Sequence, residues 1–273
     1  MFQYELGFIG AGNMAKALIN GILKSDLYKK DKIAASDIKQ EAIREVNESF
    51  GIDTFDSNAE LVNKARIVVL CVKPQNMKEV LKEIKSAITE SHLVISIAAG
   101  VPIKAITKIL EKDVPVIRVM PNTPAFVQKG MSAIAYASNV KSEYVNWALD
   151  IFNSVGDTIV VDEQMIDVIT AVSGSGPGFI FRIMECMVEG AIKLGLEEKD
   201  AVKLVIQTFI GASFLAKESG KSLSELREMV TSPKGTTEAG LLVFEKRGLK
   251  EVISEAIQAA YKRSVEIKSQ WEK

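Results

Sequence analysis

Histidine is almost absent from this chain: His92 is the only one among 273 residues. No histidine cluster is therefore available to hold zinc. No serine sits in a G-x-S-x-G elbow, so nothing marks a serine–histidine hydrolase. Cysteine is nearly as scarce. Cys71 and Cys186 lie far apart, each in an apolar segment, without C-x-x-C or metal-ligand spacing. They read as reduced, buried packing residues rather than as a disulfide framework. The net charge of −1 leaves no electrostatic footprint for nucleic acid or an anionic membrane. No uninterrupted apolar run approaches the roughly 20 residues that span a bilayer. The first strand-like run, Leu6 to Ile9, meets a glycine turn at once, unlike a signal peptide. A cytoplasmic setting is the default expectation. What remains is an ordinary globular composition, 47% hydrophobic and 25% charged, with room for one large or two modest domains.

Two patterns divide the chain. Short runs rich in Val, Ile and Ala recur up to about residue 162: Leu6–Ile9, Ile33–Ser36, Ile67–Val72, Leu93–Ile97, Val116–Met120, Ser132–Tyr136 and Thr158–Val161. Between them lie segments of helical spacing such as Met14–Leu23, Gln40–Phe50 and Met77–Ile88. This alternation predicts βαβ units and a mostly parallel sheet covered on both faces, the Rossmann type of α/β domain, over residues 1–162. Beyond Asp162 the strand signals stop. Residues 163–195, 197–217, 222–230, 236–246 and 249–270 read as helices, so 163–273 is expected to be an all-α domain. Two helices carry wide apolar stripes: Phe179, Ile180, Ile183, Met184, Met187 and Val188, then Val202, Val205, Ile206, Phe209 and Ile210. A helical domain this small is hard pressed to cover them all, and a second copy of the chain is a natural cover.

Residues 7 to 15, Gly-Phe-Ile-Gly-Ala-Gly-Asn-Met-Ala, match G-x-G-x-x-G/A. Gly10 makes the tight turn, Gly12 lets the backbone approach a pyrophosphate, and Ala15 permits close helix–sheet packing. The motif follows a strand and opens a helix, so Gly10, Ala11, Gly12, Asn13 and Met14 are expected to face a dinucleotide. At the end of the second strand, Asp37 argues for NAD, since a carboxylate there repels a 2′-phosphate. Ser36 can instead donate to that phosphate, with Lys39 close enough to neutralise it. The sequence leaves both readings open. Asn58 is a further ribose or phosphate contact, or else a turn or N-cap residue. Three loops each follow a strand at the edge where ligands bind: Val72-Lys73-Pro74-Gln75, Ala98-Ala99-Gly100 and Met120-Pro121-Asn122-Thr123-Pro124. A separate feature, Thr231-Ser-Pro-Lys-Gly-Thr-Thr237, packs hydroxyls and backbone N–H groups into a turn before a helix. Such a helix start is a seat for a carboxylate or phosphate.

These motifs together resemble pyrroline-5-carboxylate reductase: residues 7–15, Val-Lys-Pro (72–74), Ile-Ala-Ala-Gly (97–100), Arg-Val-Met-Pro-Asn-Thr-Pro (118–124), Ser-Gly-Ser-Gly-Pro (173–177) and Ser-Pro-Lys-Gly-Thr-Thr (232–237). The resemblance covers essentially the whole chain. It implies reduction of Δ1-pyrroline-5-carboxylate to L-proline by hydride from NADPH, with NADH as the alternative cofactor. It also implies a Rossmann domain followed by a helical dimerisation domain, interlocked with that of a second subunit and able to assemble further. Cofactor contacts then fall on residues 10–14, Ser36, Asp37, Asn58, Val72, Lys73, Pro74, Ala98, Ala99 and Gly100. The substrate carboxylate falls to Ser232, Gly235 and Thr236, and the ring nitrogen to Thr237, with Asn122 nearby. Lys73, able to pair with Glu218, joins Thr237 as a catalytic candidate. No metal, nucleic acid or membrane partner is implied. The family usually has two glycines after Ser-Pro, and Lys234 replaces the first, placing a glycine conformation in question. Gly178 replaces the commoner alanine after Ser-Gly-Ser-Gly-Pro.

Two other readings compete. A β-hydroxyacid dehydrogenase shares the same plan and would need a catalytic lysine on a helix of the second domain. Lys193 lies on such a helix, without the expected flanking motif. A nucleotide-sensing protein would keep the fold without turnover, and the intact hydroxyl turn argues against it.

Overall fold

The computed structural model describes residues 2–271. Eight strands form one sheet: β1 (Tyr4–Ile9), β2 (Ile33–Ser36), β3 (Asp53–Phe55), β4 (Ala65–Leu70), β5 (Leu93–Ser96), β6 (Val116–Met120), β7 (Gly130–Tyr136) and β8 (Gly156–Val160). Their order is β3-β2-β1-β4-β5-β6-β7-β8. Every neighbouring pair is parallel except β6 and β7. The exception has a length cause. A parallel return needs a crossover of a dozen or more residues, and only residues 121–129, with the turn Thr123–Val127, lie between β6 and β7.

The central strands carry long apolar runs because each face meets its own helical layer. Along β4, Ile67 and Val69 enter one core, and Val68 and Leu70 enter the other. Leu6 and Phe8 of β1 join the first core, and Tyr4 and Ile9 the second. The helices Asn13–Lys24 and Ser142–Asn153 cover one face, and Met77–Ile84 and Ile103–Leu110 cover the other.

Two compact units emerge: Met1–Ser175 with Ala260–Lys273, and Gly176–Ala259. The helix Leu249–Ser269 thus starts in the second and ends in the first. The helical pattern expected over 163–195 is interrupted. The short helix Ile166–Ile169 passes into a wide turn over Thr170–Gly174, where Ser175 N–H donates to the Thr170 carbonyl at 2.8 Å, before Gly176–Lys193 resumes. In the second unit the helices Gly176–Lys193 and Thr236–Lys246 bury no residue of their own. Ile180, Met187, Ile206 and Ile210 of the two apolar stripes are exposed. Cys186 is exposed as well, contrary to the expectation that it is buried. Cys71 is half-buried, and the burial of its sulfur pushes the thiol's pKa well up.

Candidate active site

Strands β1, β2, β4, β5 and β6 run parallel, so the loops that follow them gather at one edge. The order reverses between β1 and β4, the point at which dinucleotides bind in such sheets. Gly10 and Gly12 serve different purposes there. Gly10 has φ +96°, and a Cβ on it would lie 3.0 Å from the Cys71 backbone carbonyl. Its N–H donates to the Ser36 carbonyl at 2.8 Å, so this glycine closes the turn. Gly12 is the N-cap of Asn13–Lys24, with no side-chain cap, and a Cβ on it would meet nothing within 4 Å. The first N–H groups of that helix therefore face open space beside a residue with no side chain. That cradle fits a pyrophosphate. Ala15 is fully buried against the sheet.

At the ribose corner the expected ligands turn inward. Asp37 accepts from Ala11 N–H at 2.8 Å through one oxygen and from Lys39 N–H at 2.9 Å through the other. Its carboxylate therefore staples the glycine turn to the end of β2. Ser36 is completely buried, and its hydroxyl donates to Asn58 Oδ1 at 2.7 Å. Asn58 in turn donates through its backbone N–H and its amide to Glu83, at 3.1 and 2.7 Å. The Ser36 proton that a 2′-phosphate would need is thus committed inside the protein. Asn58 is not an N-cap; Ser57 is, accepting from Glu60 N–H. Glu83 was not singled out from sequence, where it is one polar residue on an amphipathic helix.

Further along the edge, Val72 is half-buried and Lys73 exposed, just before the turn Pro74–Asn76. Ala98 is buried, Ala99 half-buried, and Gly100 adopts φ +73°. A cavity of about 310 Å³ opens between Pro74, Gln75, Lys78, Ala99, Ile267 and Trp271. Asn122 lies at this edge, but its amide is occupied. Nδ2 donates to the Ser173 carbonyl and Oγ at 3.2 Å each, and Oδ1 accepts from Met131 N–H at 2.8 Å. It holds the loop after β6 against β7 and residue 173.

The second unit carries the hydroxyl turn. Ser232, Thr236 and Thr237 are exposed, and Gly235 is the N-cap of Thr236–Lys246, again without a side-chain cap. Gly235 N–H donates to the Ser232 carbonyl at 2.9 Å. A Cβ at Gly235 would collide with the Ser232 hydroxyl, so the hydroxyl can fold over the helix start only because residue 235 is glycine.

Two family models match successive parts of the chain. The family model "NADP oxidoreductase coenzyme F420-dependent" matches residues 5–100, and "Pyrroline-5-carboxylate reductase dimerisation" matches 163–267. The chain is 40% identical to the pyrroline-5-carboxylate reductase of Methanosarcina acetivorans over 98% of its own length and 99% of that protein's. It is 40% identical to the Pseudomonas aeruginosa enzyme, covering 97% of each. The chain belongs to the pyrroline-5-carboxylate reductase family. The solved structure of the Coxiella burnetii reductase superposes with a TM-score of 0.91 at 37% identity, covering 97% of this chain and 98% of that one. The Plasmodium falciparum reductase, solved with NADP bound, gives 0.88 at 31% identity, covering 98% and 99%.

For a pyrroline-5-carboxylate reductase the lysine at 234 is the departure that matters, and the backbone absorbs it. Lys234 keeps the left-handed conformation, φ +61°, and its N–H donates to Glu238 Oε2 at 2.7 Å. The glycine geometry survives at a cost of roughly 1 kcal/mol, with the Glu238 carboxylate holding it in place.

Proposed function

We propose that this chain reduces Δ1-pyrroline-5-carboxylate to L-proline, the last step of proline biosynthesis, with hydride supplied by bound NADPH or, alternatively, NADH. One observation carries the reading. A chain 40% identical to such reductases over nearly its full length has two helix starts whose N-cap is a glycine with no side-chain cap, Gly12 and Gly235. The first suits a pyrophosphate and the second a carboxylate. The division of labour follows the sequence, with dinucleotide binding assigned to residues 1–162 and substrate binding to 163–273.

The protonated C=N carbon of the substrate is a good hydride acceptor, so the protein's task is placement and electrostatics. The Ser232 and Thr236 hydroxyls, with the backbone N–H groups of the turn, seat the substrate carboxylate. The Thr237 hydroxyl orients the ring nitrogen; a threonine is a poor acid, so orientation is its main contribution. Lys73, exposed in the loop after β4, is the further catalytic candidate and brings a positive charge to that edge. Thr237→Ala is expected to lower kcat/KM about tenfold, the worth of one well-placed hydrogen bond. The assay is loss of nicotinamide absorbance with Δ1-pyrroline-5-carboxylate, run separately with NADPH and NADH. Unchanged kcat/KM would remove Thr237 from the mechanism. No oxidation of either nucleotide by a folded protein that binds one would overturn the reductase reading.

The exposed stripes of the second unit support a homodimer or larger homo-oligomer built on interlocked C-terminal helices, in a cytoplasmic enzyme. Sedimentation at micromolar concentration checks the assembly, and a monomer would refute it.

A further inference from the structure

The geometry points to the last turns of the C-terminal helix as a brace that positions the cofactor-facing loop Ile97–Gly100. The inference rests on the reductase reading. The glycine cradle and the ribose corner follow β1 and β2, on one side of the switch point between β1 and β4. The loops after β4 and β5 lie on the other side, where the nicotinamide half of a dinucleotide falls.

Three contacts seat the helix end on those loops. Gly100 is left-handed and has no side chain, and the space a Cβ would take is filled by Ile267 Cγ2. One turn further on, Trp271 packs against the same core, with Lys78 Nζ 5.2 Å from its ring centroid. Trp271 lies just past the helix end, where its N–H donates to the Lys268 carbonyl at 2.9 Å, and with Ile267 it lines the cavity beside the loops after β4 and β5. A polar clamp fixes their depth. The Ser264 hydroxyl donates to Asp167 Oδ1 at 2.8 Å and Lys268 to Oδ2 at 3.3 Å. Asp167 is 2% and Ser264 4% exposed, so the helix can neither slide nor rotate without stranding a buried carboxylate. The cavity of about 310 Å³ bounded by Pro74, Ala99, Ile267 and Trp271 is the slack into which the loop would relax without the brace.

Ile267 and Trp271 are accordingly positioning residues, and the test separates placement from stability. In Ile267→Ala, kcat should fall at least about fivefold, while the Kd for NADPH, set mainly at the glycine cradle, stays within about twofold. The emission of bound NADPH, which reports how firmly the nicotinamide is held, should drop toward that of the free nucleotide. Ile267→Val, which keeps Cγ2, should restore both. Trp271→Leu provides a second variant, in the turn just beyond the helix, should Ile267→Ala fold poorly; it should show the same drop in emission. Unchanged kcat and emission in a folded Ile267→Ala or Trp271→Leu protein would overturn the brace. A parent protein that binds NADPH but does not reduce the imine would sink the reductase reading instead, and the emission change would still decide the brace.

Discussion

Gly12→Val should abolish dinucleotide binding and leave the fold intact. The two halves of this expectation have separate causes. Gly12 sits at φ −76° and ψ −175°, extended backbone that any residue adopts, and a Cβ there would touch nothing within 4 Å. Valine therefore costs the fold less than about 1 kcal/mol, the difference between glycine and a poor N-cap. Its methyl groups, however, fill the opening through which a pyrophosphate must reach the first N–H groups of the helix. The Kd for NADPH should rise at least about 100-fold, while Tm moves by no more than about 4 °C. Gly10→Ala should do the opposite and lower Tm, because its left-handed backbone lies against Cys71. A Gly12→Val protein that still binds NADPH within about threefold of the parent would show that the cofactor does not approach through this cradle.

Glu163→Ala should be among the most destabilising single changes in the chain, at about 3–5 kcal/mol. Arg118 lies in the middle of β6 with 1% of its surface exposed, and its Nη1 meets Glu163 Oε1 at 3.2 Å. Among the described residues, Nη2 has no hydrogen-bond partner at all. The same Glu163 oxygen accepts from Ile103 N–H at 2.8 Å, where the helix Ile103–Leu110 begins. Removing the carboxylate leaves a buried cation alone and uncaps that helix start. Arg118→Met combined with Glu163→Ala should recover most of the loss, since the buried charge is then gone as well. Urea midpoints at constant m-value measure both. A loss below about 1 kcal/mol in the single variant would mean that Arg118 is not desolvated as the structure shows.

The sheet was legible because its central strands are buried on both faces. That forces short unbroken apolar runs such as Ile67–Leu70, which turn signals on either side mark as strands. β3 escaped because it spans only Asp53–Phe55, too short and too exposed to leave a pattern. The glycine motif was legible as a whole, yet the difference between Gly10 and Gly12 lies in the neighbouring Cys71 backbone, remote in sequence. Ser36, Asn58 and Asn122 are the residue types a ribose or carboxylate site would use. Their hydrogen bonds nevertheless run to Glu83, Met131 and Ser173, partners that only tertiary structure brings together. Arg118 did leave a trace, as a lone charge within the apolar run Val116–Met120. A cation in such a place calls for a buried counter-charge, and that argument could have led to Glu163.

The clamp between Asp167 and the C-terminal helix has a consequence for how the protein is made. The sheet unit starts ahead of the second unit in the chain, but its last parts, Ser264, Ile267 and Lys268, are translated only after the whole of the second unit. A chain emerging from the ribosome folds largely from its N-terminal end. The strands can therefore pair early, while the Gly100 loop waits for its backing until all of residues 176–259 have been synthesised. The half of the molecule that starts first is the half that is completed last.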